Sequence, residues 1–215
     1  MRISQLSTAS GVPIPTIKYY LREGLLPAGE QTSATRAEYG ERHLRRLRLI
    51  RALLEVGHLS IAAIREVLAA VDDEGMSMHR VLGTAHYALA PRIEPGPDDE
   101  EWRRARQEAD GLVAGLGWQV DARSPARDEL AQAVLTLHRF GLPATVQALR
   151  PYAEAAERLV GEHEIRTLPR GGSREEAVEA LVVGTVVHGR ILDVMRRMAQ
   201  ESASARVFGT PATDR

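Results

Sequence analysis

The stretch TIKYYLREGLLP, residues 16–27, decides how the first third of this chain folds. Ile17, Tyr20 and Leu21 recur at helical spacing, so they form one apolar face of a short helix. Gly24 follows the last of them and is typical of a helix end. The stretch therefore predicts a short amphipathic helix in which Tyr20 belongs to the core.

A second short helix precedes it. The segment ISQLSTAS, residues 3–10, has helical spacing and is followed by Gly11, which predicts its end. Pro13 and Pro15 fit only at the start of the next helix, where a missing backbone N–H costs nothing. Two short helices joined by a glycine-bearing turn are typical of a helix-turn-helix.

The residues that follow complete a compact basic head. Residues 25–40 predict a loop or a small hairpin, because Pro27, Gly29, Ser33 and Gly40 interrupt any regular helix there. Residues 41–56, ERHLRRLRLIRALLEV, place leucines and isoleucine at helical spacing among five arginines. Ser60 is a suitable N-cap for a fourth helix over 61–71. Residues 1–71 therefore predict a four-helix head.

The rest of the chain is also helical by pattern. Further helices are predicted over 78–90, 99–117, 126–140, 143–164 and 173–201, and PRIEPGPDDE reads as an extended linker. Ser173 and Glu176 form a capping box for the last helix, and the tail from Phe208 is expected to fray. The predicted fold class is mainly α. The predicted domains are a winged helix-turn-helix over 1–71, a connecting helix and linker over 72–98, and a helical effector-binding or dimerisation domain over 99–205.

Composition limits the functions that this chain can have. It has 215 residues, 44 % of them apolar, and no cysteine, which excludes thiolate catalysis and cysteine-ligated metals. Residues 1–71 carry a net charge of +4 and residues 72–215 carry −5, which suggests two modules with different partners. Neither a secretory segment nor an apolar run of roughly 18 residues is present, so we expect a cytoplasmic protein without a membrane partner.

Residues 1–71 resemble the DNA-binding domain of the MerR family of transcription regulators. The resemblance lies in ISQLSTASGVPIPTIKYYLREGLLP, the following Arg and Tyr, the basic helix and GHLSIAAIREVL. It implies a homodimer that binds a palindromic operator in double-stranded DNA, with RNA polymerase at the promoter. In this family activation can proceed by bending and untwisting the DNA, a deformation that costs a few kcal/mol.

Several residues are candidate DNA contacts. A recognition helix places its first residues at base edges, and long cationic side chains neutralise phosphates. Tyr19 resembles a tyrosine that contacts the DNA backbone in the family. The wing ATRAEY has two residues instead of one between Arg and Tyr, which departs from the family pattern. The candidates are Ile14, Pro15, Thr16, Lys18, Tyr19, Arg22, the wing residues Arg36 and Tyr39, and the helix residues Arg42, Arg45 and Arg46.

The acidic part gives a weaker functional signal. Its scattered histidines favour no metal site, and no cofactor is expected. The drug-sensing branch of the family suggests an organic effector bound by aromatic side chains, although a lone aromatic residue in a helical domain is more often core. The candidates are Tyr87, Trp102, Trp118, Phe140 and Tyr152.

The sequence leaves open which helix forms the dimer interface, and it also leaves two other functions open. Leu181, Gly184, His188, Ile191, Met195 and Met198 alternate three and four apart, as in a coiled-coil seam, but the other side of the same helix is also apolar. The effector domain could instead bind a protein, or the chain could be an architectural or excision-type DNA binder. Enzymatic activity is not expected, because no phosphate loop or hydrolase motif is present.

Overall fold

The computed structural model describes residues 1–33, 36–93, 100–169 and 171–208. Parts of the predicted linker (94–98) and of the predicted frayed tail (209–215) lie outside these residues. The mainly α prediction is confirmed. The elements are α1 (Ile3–Ser10), α2 (Ile14–Arg22), β1 (Glu30–Ser33), β2 (Arg36–Glu38), α3 (Glu41–Arg51), α4 (Ile61–Asp72), α5 (Met78–Leu89), α6 (Glu100–Gly115), α7 (Pro125–Arg139), α8 (Val146–Leu159), α9 (Ile165–Thr167), α10 (Arg174–Val183) and α11 (Gly189–Phe208).

Within the described part of the chain, three π-helical turns occur that the sequence pattern did not predict. These turns span Ala52–Val56 after α3, Val160–Glu164 after α8 and Gly184–His188 between α10 and α11. A π turn inserts one residue into the helical repeat and shifts the face that later side chains occupy. The apolar spacing along 173–201 therefore does not describe one straight stripe.

The described chain divides into two compact units. One consists of Met1–His58 with Glu179–Arg215, and the other consists of Leu59–Val178. The first unit contains α1–α3 and the hairpin, and α1 packs against both α2 and α3. Leu6, Ile17 and Leu47 are fully buried there. These are residues of the predicted apolar faces, which explains why such short helices hold together.

The core of the second unit lies between α6 and α7. Trp102, Ala105 and Ala109 of α6 pack with Ala131 and Val134 of α7. Small residues at this contact allow the two helices to approach closely, and the large Trp102 ring fills one end. The start of α8 closes the same core.

Two helix caps in the second unit follow the predicted chemistry. The Ser60 hydroxyl accepts a hydrogen bond from the Ala63 N–H at 3.2 Å. The Ser173 N–H donates to a Glu176 carboxylate oxygen at 2.8 Å, and the Glu176 N–H donates to the Ser173 hydroxyl at 3.3 Å. The predicted capping box is therefore confirmed.

Arg174 makes a long-range contact that local sequence patterns did not indicate. Its guanidinium donates hydrogen bonds to the main-chain carbonyls of Asp73 at 2.5 Å, Glu74 at 3.1 Å and Met76 at 2.7 Å. These carbonyls follow the end of α4 and would otherwise depend on water for partners. One arginine thus joins the start of α10 to the turn after α4.

Apolar side chains lie exposed along α11. Ile191 is 53 % exposed, and Met195 and Met198 are each 59 % exposed. Leu181, Val178 and Val182 of α10 are buried instead. The predicted coiled-coil seam therefore begins with a buried residue on α10 and continues with exposed residues on α11.

Candidate nucleic-acid interface

Helix α2 has one buried and one exposed face. Pro13 precedes the helix with an extended backbone, and Pro15 occupies its first turn, where neither ring disturbs a helical hydrogen bond. Ile17 is fully buried on the inner face. Lys18 and Arg22, one turn apart, are exposed on the outer face together with Pro15. The helix therefore presents two cations and its own first turn to solvent.

The two adjacent tyrosines have different environments. Tyr20 is 4 % exposed, and burial raises the pKa of its hydroxyl, with a smaller contribution from the Glu55 carboxylate. Tyr19 is half-buried, with its ring 5.9 Å from that of Tyr20 and the Arg22 guanidinium 5.4 Å from its centroid. The prediction that Tyr20 is core is confirmed. The Tyr19 ring is held at the surface of α2, beside the outward cations.

Arg51 fixes the turn between α1 and α2. Gly11 ends α1 with φ of +70°, a left-handed conformation that favours glycine. The Arg51 guanidinium donates to the Ser10 carbonyl at 3.2 Å and pairs with Glu55 at 2.9 Å. This hydrogen bond holds the pKa of the Glu55 carboxyl below its usual range. Arg51 therefore provides a hydrogen-bond donor for a carbonyl at the C-terminal end of α1.

The predicted hairpin forms the wing. Strands β1 and β2 pair antiparallel, with Ser33 opposite Arg36 and Glu30 opposite Glu38. Residues 34–35 lie outside the described residues. The Arg36 side chain is exposed. It is thus available for a contact outside the protein.

Tyr39, in contrast, is placed mainly in the core. It is 8 % exposed, and its backbone exchanges hydrogen bonds with Met1 at 2.8 Å and 2.6 Å. The expectation of an outward DNA-contacting side chain is not supported by this burial. Its ring instead covers the base of the wing against Gly29.

His43 supports the wing and was missed by the sequence reasoning. Its Nδ1 accepts a hydrogen bond from the Gly40 N–H at 3.1 Å, so Nε2 carries the proton that faces the Ala28 carbonyl at 3.4 Å. The ring meets that of Tyr39 edge to face, with centroids 5.2 Å apart. A histidine three residues after a glycine that precedes a helix was the available signal, because its ring can cap the helix start.

Gly29 leads to a first prediction. A Cβ on Gly29 would lie 2.7 Å from the Glu38 carbonyl oxygen and 2.9 Å from the Tyr39 ring. We expect Gly29→Ala to lower the free energy of unfolding by about 1–3 kcal/mol, because backbone and a packed ring must move. Gly171→Ala is the matched control, since a Cβ there meets nothing within 4 Å and the residue lies outside the helices. Equal denaturation midpoints for both variants would contradict this account of the wing.

The three arginines at the start of α3 differ in burial. Arg42 is exposed and Arg45 is half-buried. Arg46 is 5 % exposed, so its guanidinium is not presented to a phosphate. Arg46 is therefore corrected from a phosphate contact to a residue of the head's interior, because its side chain falls on the same side of α3 as Leu49 and Ile50.

The five aromatic effector candidates are dispersed. Trp118 and Tyr152 line an apolar pocket in the Leu59–Val178 unit. Trp102 is 7 % exposed and belongs to the core between α6 and α7. Tyr87 on α5 and Phe140 after α7 are exposed, at 38 % and 77 %, and neither lines that pocket. Only two of the five aromatic side chains are brought together.

The described residues contain neither a cluster of metal ligands nor a membrane-spanning helix. Within residues 1–33, 36–93, 100–169 and 171–208, no group of three or more His, Asp or Glu side chains is arranged to hold a metal ion. Among the helices described, none combines the length and apolarity needed to cross a membrane.

A helix-turn-helix with an outward basic face beside a two-stranded wing defines a DNA-binding protein of the winged helix-turn-helix class. Residues 1–71 match the family model described as MerR HTH family regulatory protein. The chain is 32 % identical to the HTH-type transcriptional regulator ZntR homolog of Haemophilus influenzae over 43 % of this chain and 70 % of that protein. It belongs to the MerR family of transcriptional regulators.

Two further relatives extend the comparison. The mercuric resistance operon regulatory protein of Serratia marcescens is 29 % identical over 41 % of this chain and 60 % of its own length. The crystal structure of SCO5550, a proposed transcriptional regulator from Streptomyces coelicolor A3(2), superposes with a TM-score of 0.75 at 37 % identity. That similarity covers 98 % of this chain and 99 % of SCO5550.

Proposed function

We propose that this regulator binds an inverted-repeat operator as a homodimer and responds to an organic effector bound by its second unit. The observation that carries the proposal is the outward face of α2, with Lys18 and Arg22 one turn apart and Pro15 at its start. In a recognition helix the first turn reaches base edges while the longer cations lie toward the phosphates. Ile14 and Thr16 occupy the same first turn, and the proposal adds the exposed cations Arg36 and Arg42 as backbone contacts.

The homodimer is supported by the exposed apolar side chains of α11. Ile191, Met195 and Met198 follow one another at intervals of four and three residues, and each is more than half exposed. Such a stripe is stabilised when a second helix covers it. Two heads read two half-sites, which is why the proposed operator is an inverted repeat.

The effector is proposed from the pocket that contains Trp118 and Tyr152. Apolar pockets of a few hundred Å³ are typical of small-molecule sites. Action in the cytoplasm, at a promoter with RNA polymerase, follows from the family and is part of the same proposal.

Selection from a random-sequence DNA pool tests this function. After several rounds with purified protein, we expect enrichment of two inverted half-sites whose centres are separated by one or more helical turns, roughly 34–36 Å for a single turn. Recovery of a single unrepeated site would contradict the dimeric model. Binding without any enriched sequence would contradict sequence-specific regulation and favour an architectural DNA binder.

The salt dependence of operator binding gives a second prediction. Each phosphate neutralised contributes a slope of about −0.9 to log K against log salt. We expect Lys18→Ala to make the slope shallower by about 0.9, with little change in preferred sequence. Arg103→Ala on α6 removes the same charge outside the head and serves as the matched control. An unchanged slope for Lys18→Ala would show that Lys18 is not a phosphate contact.

A further inference from the structure

The Leu59–Val178 unit contains a half-open pocket between α6, α7 and α8, with a volume of about 360 Å³. Helix α8 supplies one wall through Val146, Leu149, Ala153 and Ala156, which fall on one side of the helix. Leu112 near the end of α6 belongs to the opposite wall. The size falls within the usual range for small-molecule sites.

The lining selects against charged ligands. All nine lining side chains are apolar except for the hydroxyl of Tyr152 and the indole N–H of Trp118. An ionised ligand would lose hydration here without a counter-ion, which costs several kcal/mol. The pocket therefore favours a neutral molecule that has at most one or two polar groups.

Two aromatic side chains suggest the shape of that molecule. Trp118 follows α6, and Tyr152 stands on α8 with 62 % of its surface exposed. Aromatic rings gain additional contact energy from offset or edge-to-face packing with another ring. Because Tyr152 remains largely exposed in the free protein, it has surface to bury when a flat ligand enters.

The wall that carries Trp118 is held in place before any ligand binds. Gly117 turns the chain out of α6 with φ of +70°. Arg127 then donates to the Val120 carbonyl at 2.7 Å, and Arg106 donates to the Ala122 carbonyl at 2.9 Å. These hydrogen bonds fix the loop that contains Trp118, so less conformational freedom is lost on binding.

The same arginines join this loop to the helices on either side. Arg127 pairs with Asp110 of α6 at 2.7 Å, and Arg106 pairs with Asp128 of α7 at 2.7 Å. The charges of the region are thereby directed toward one another and not toward the pocket. This explains how a polar loop can border an apolar site.

We propose that this pocket binds a neutral, flat, predominantly aromatic organic molecule, with Trp118 and Tyr152 as the aromatic contacts. The proposal rests on the effector response proposed above and specifies the chemical class of the effector. It assigns the site to the interior of one unit, so a single chain is sufficient to form it.

The direct test uses a pair of fluorescent probes that differ by one charge. N-phenylnaphthylamine is neutral and aromatic, and anilinonaphthalene sulfonate is its anionic analogue. We expect the neutral probe to bind the full-length protein at one site per chain, and the sulfonate to bind about tenfold more weakly or worse, because its charge would be desolvated unpaired. Equal affinities, or tighter binding of the sulfonate, would overturn the proposed ligand class.

Two matched variants locate the site. Ala156→Trp places a large ring in the pocket and is expected to weaken binding of the neutral probe by about tenfold or more, because the ligand volume is filled. Ala114→Trp adds the same ring at an exposed position of α6 outside the lining and should bind like wild type. If both variants bind like wild type, or both lose binding equally while remaining folded by circular dichroism, the site is not this pocket.

Tyr152→Ala gives a second measure that does not depend on filling the pocket. The side chain is largely exposed, so its removal should leave the thermal midpoint near that of wild type while lowering probe affinity. Unchanged affinity would overturn the role of Tyr152. Operator binding is measured on the same samples: failure of probe binding with intact operator binding refutes the pocket assignment alone, whereas failure of operator binding refutes the proposed regulatory function.

Discussion

Replacing Ile191 and Met195 together with glutamate is expected to turn the proposed dimer into a monomer and to weaken operator binding by about 10²–10⁴-fold. Both side chains are more than half exposed on α11, so the change removes little from the interior of the chain. In the proposed dimer they would be covered, and two buried carboxylates per subunit would lack partners. A monomer has a single DNA-binding head, so it loses the avidity that two linked heads gain by binding two half-sites at once.

The control places the same charges on the opposite side of the helix. Gln200 and Ser204 each lie nine residues beyond Ile191 and Met195, which is two and a half helical turns. Gln200→Glu with Ser204→Glu should leave the mass measured by light scattering at that of a dimer. A folded and dimeric Ile191→Glu, Met195→Glu protein would show that the dimer forms elsewhere, and the first place to look is the short helix α5.

Alanine substitution is expected to affect stability and DNA binding differently at the two adjacent tyrosines. Tyr20→Ala should lower the free energy of unfolding by about 3–5 kcal/mol, because a nearly buried aromatic ring is replaced by a cavity. Most of the fold of the head, and with it DNA binding, would be lost near physiological temperature.

Tyr19→Ala is expected to change stability little and operator affinity strongly. Its half-buried ring contributes less to the core, so the melting temperature should fall only slightly. Operator affinity should fall by about 10–100-fold if the hydroxyl donates to a phosphate, since hydrogen bonds to charged groups are worth about 1.5–3 kcal/mol. Thermal denaturation and DNA titration of both variants distinguish the roles. Equal melting temperatures for the two variants would contradict the assignment of Tyr20 to the core.

Regular helical patterns accounted for most of the fold. The apolar spacing of Ile17 and Tyr20 predicted which side of α2 is buried, and the same side faces the core in the structure. The capping chemistry of Ser60 and Ser173 likewise predicted two helix starts. These features depend on residues close together in the chain, which is why sequence alone was sufficient.

Features that depend on distant residues were not predictable. Arg46 resembles its neighbours in sequence, and only the packing of α3 places it inside while Arg42 is outside. Tyr39 is held at the base of the wing by backbone hydrogen bonds to Met1, which lies 38 residues earlier in the chain. Arg174 meets carbonyls about a hundred residues earlier in the chain.

The aromatic candidates illustrate the same limit. Trp102 and Trp118 are equally conspicuous in a chain with two tryptophans, yet one fills the α6–α7 core and the other lines the pocket. Trp102 lies in the first turn of α6, whereas Trp118 follows the turn at Gly117 and lines the pocket together with residues of α8.

The proposed entry of the first turn of α2 into the DNA of each half-site can be tested by affinity cleavage. The chain has no cysteine, so Pro13→Cys creates a unique attachment point for an iron–EDTA group at an exposed position directly before α2 and outside the proposed base contacts. On the selected operator, we expect two discrete cleavage clusters, symmetric about the centre of the inverted repeat, while free iron–EDTA cuts evenly. A single cluster, or uniform cutting by the labelled protein bound to its operator, would contradict the proposed entry.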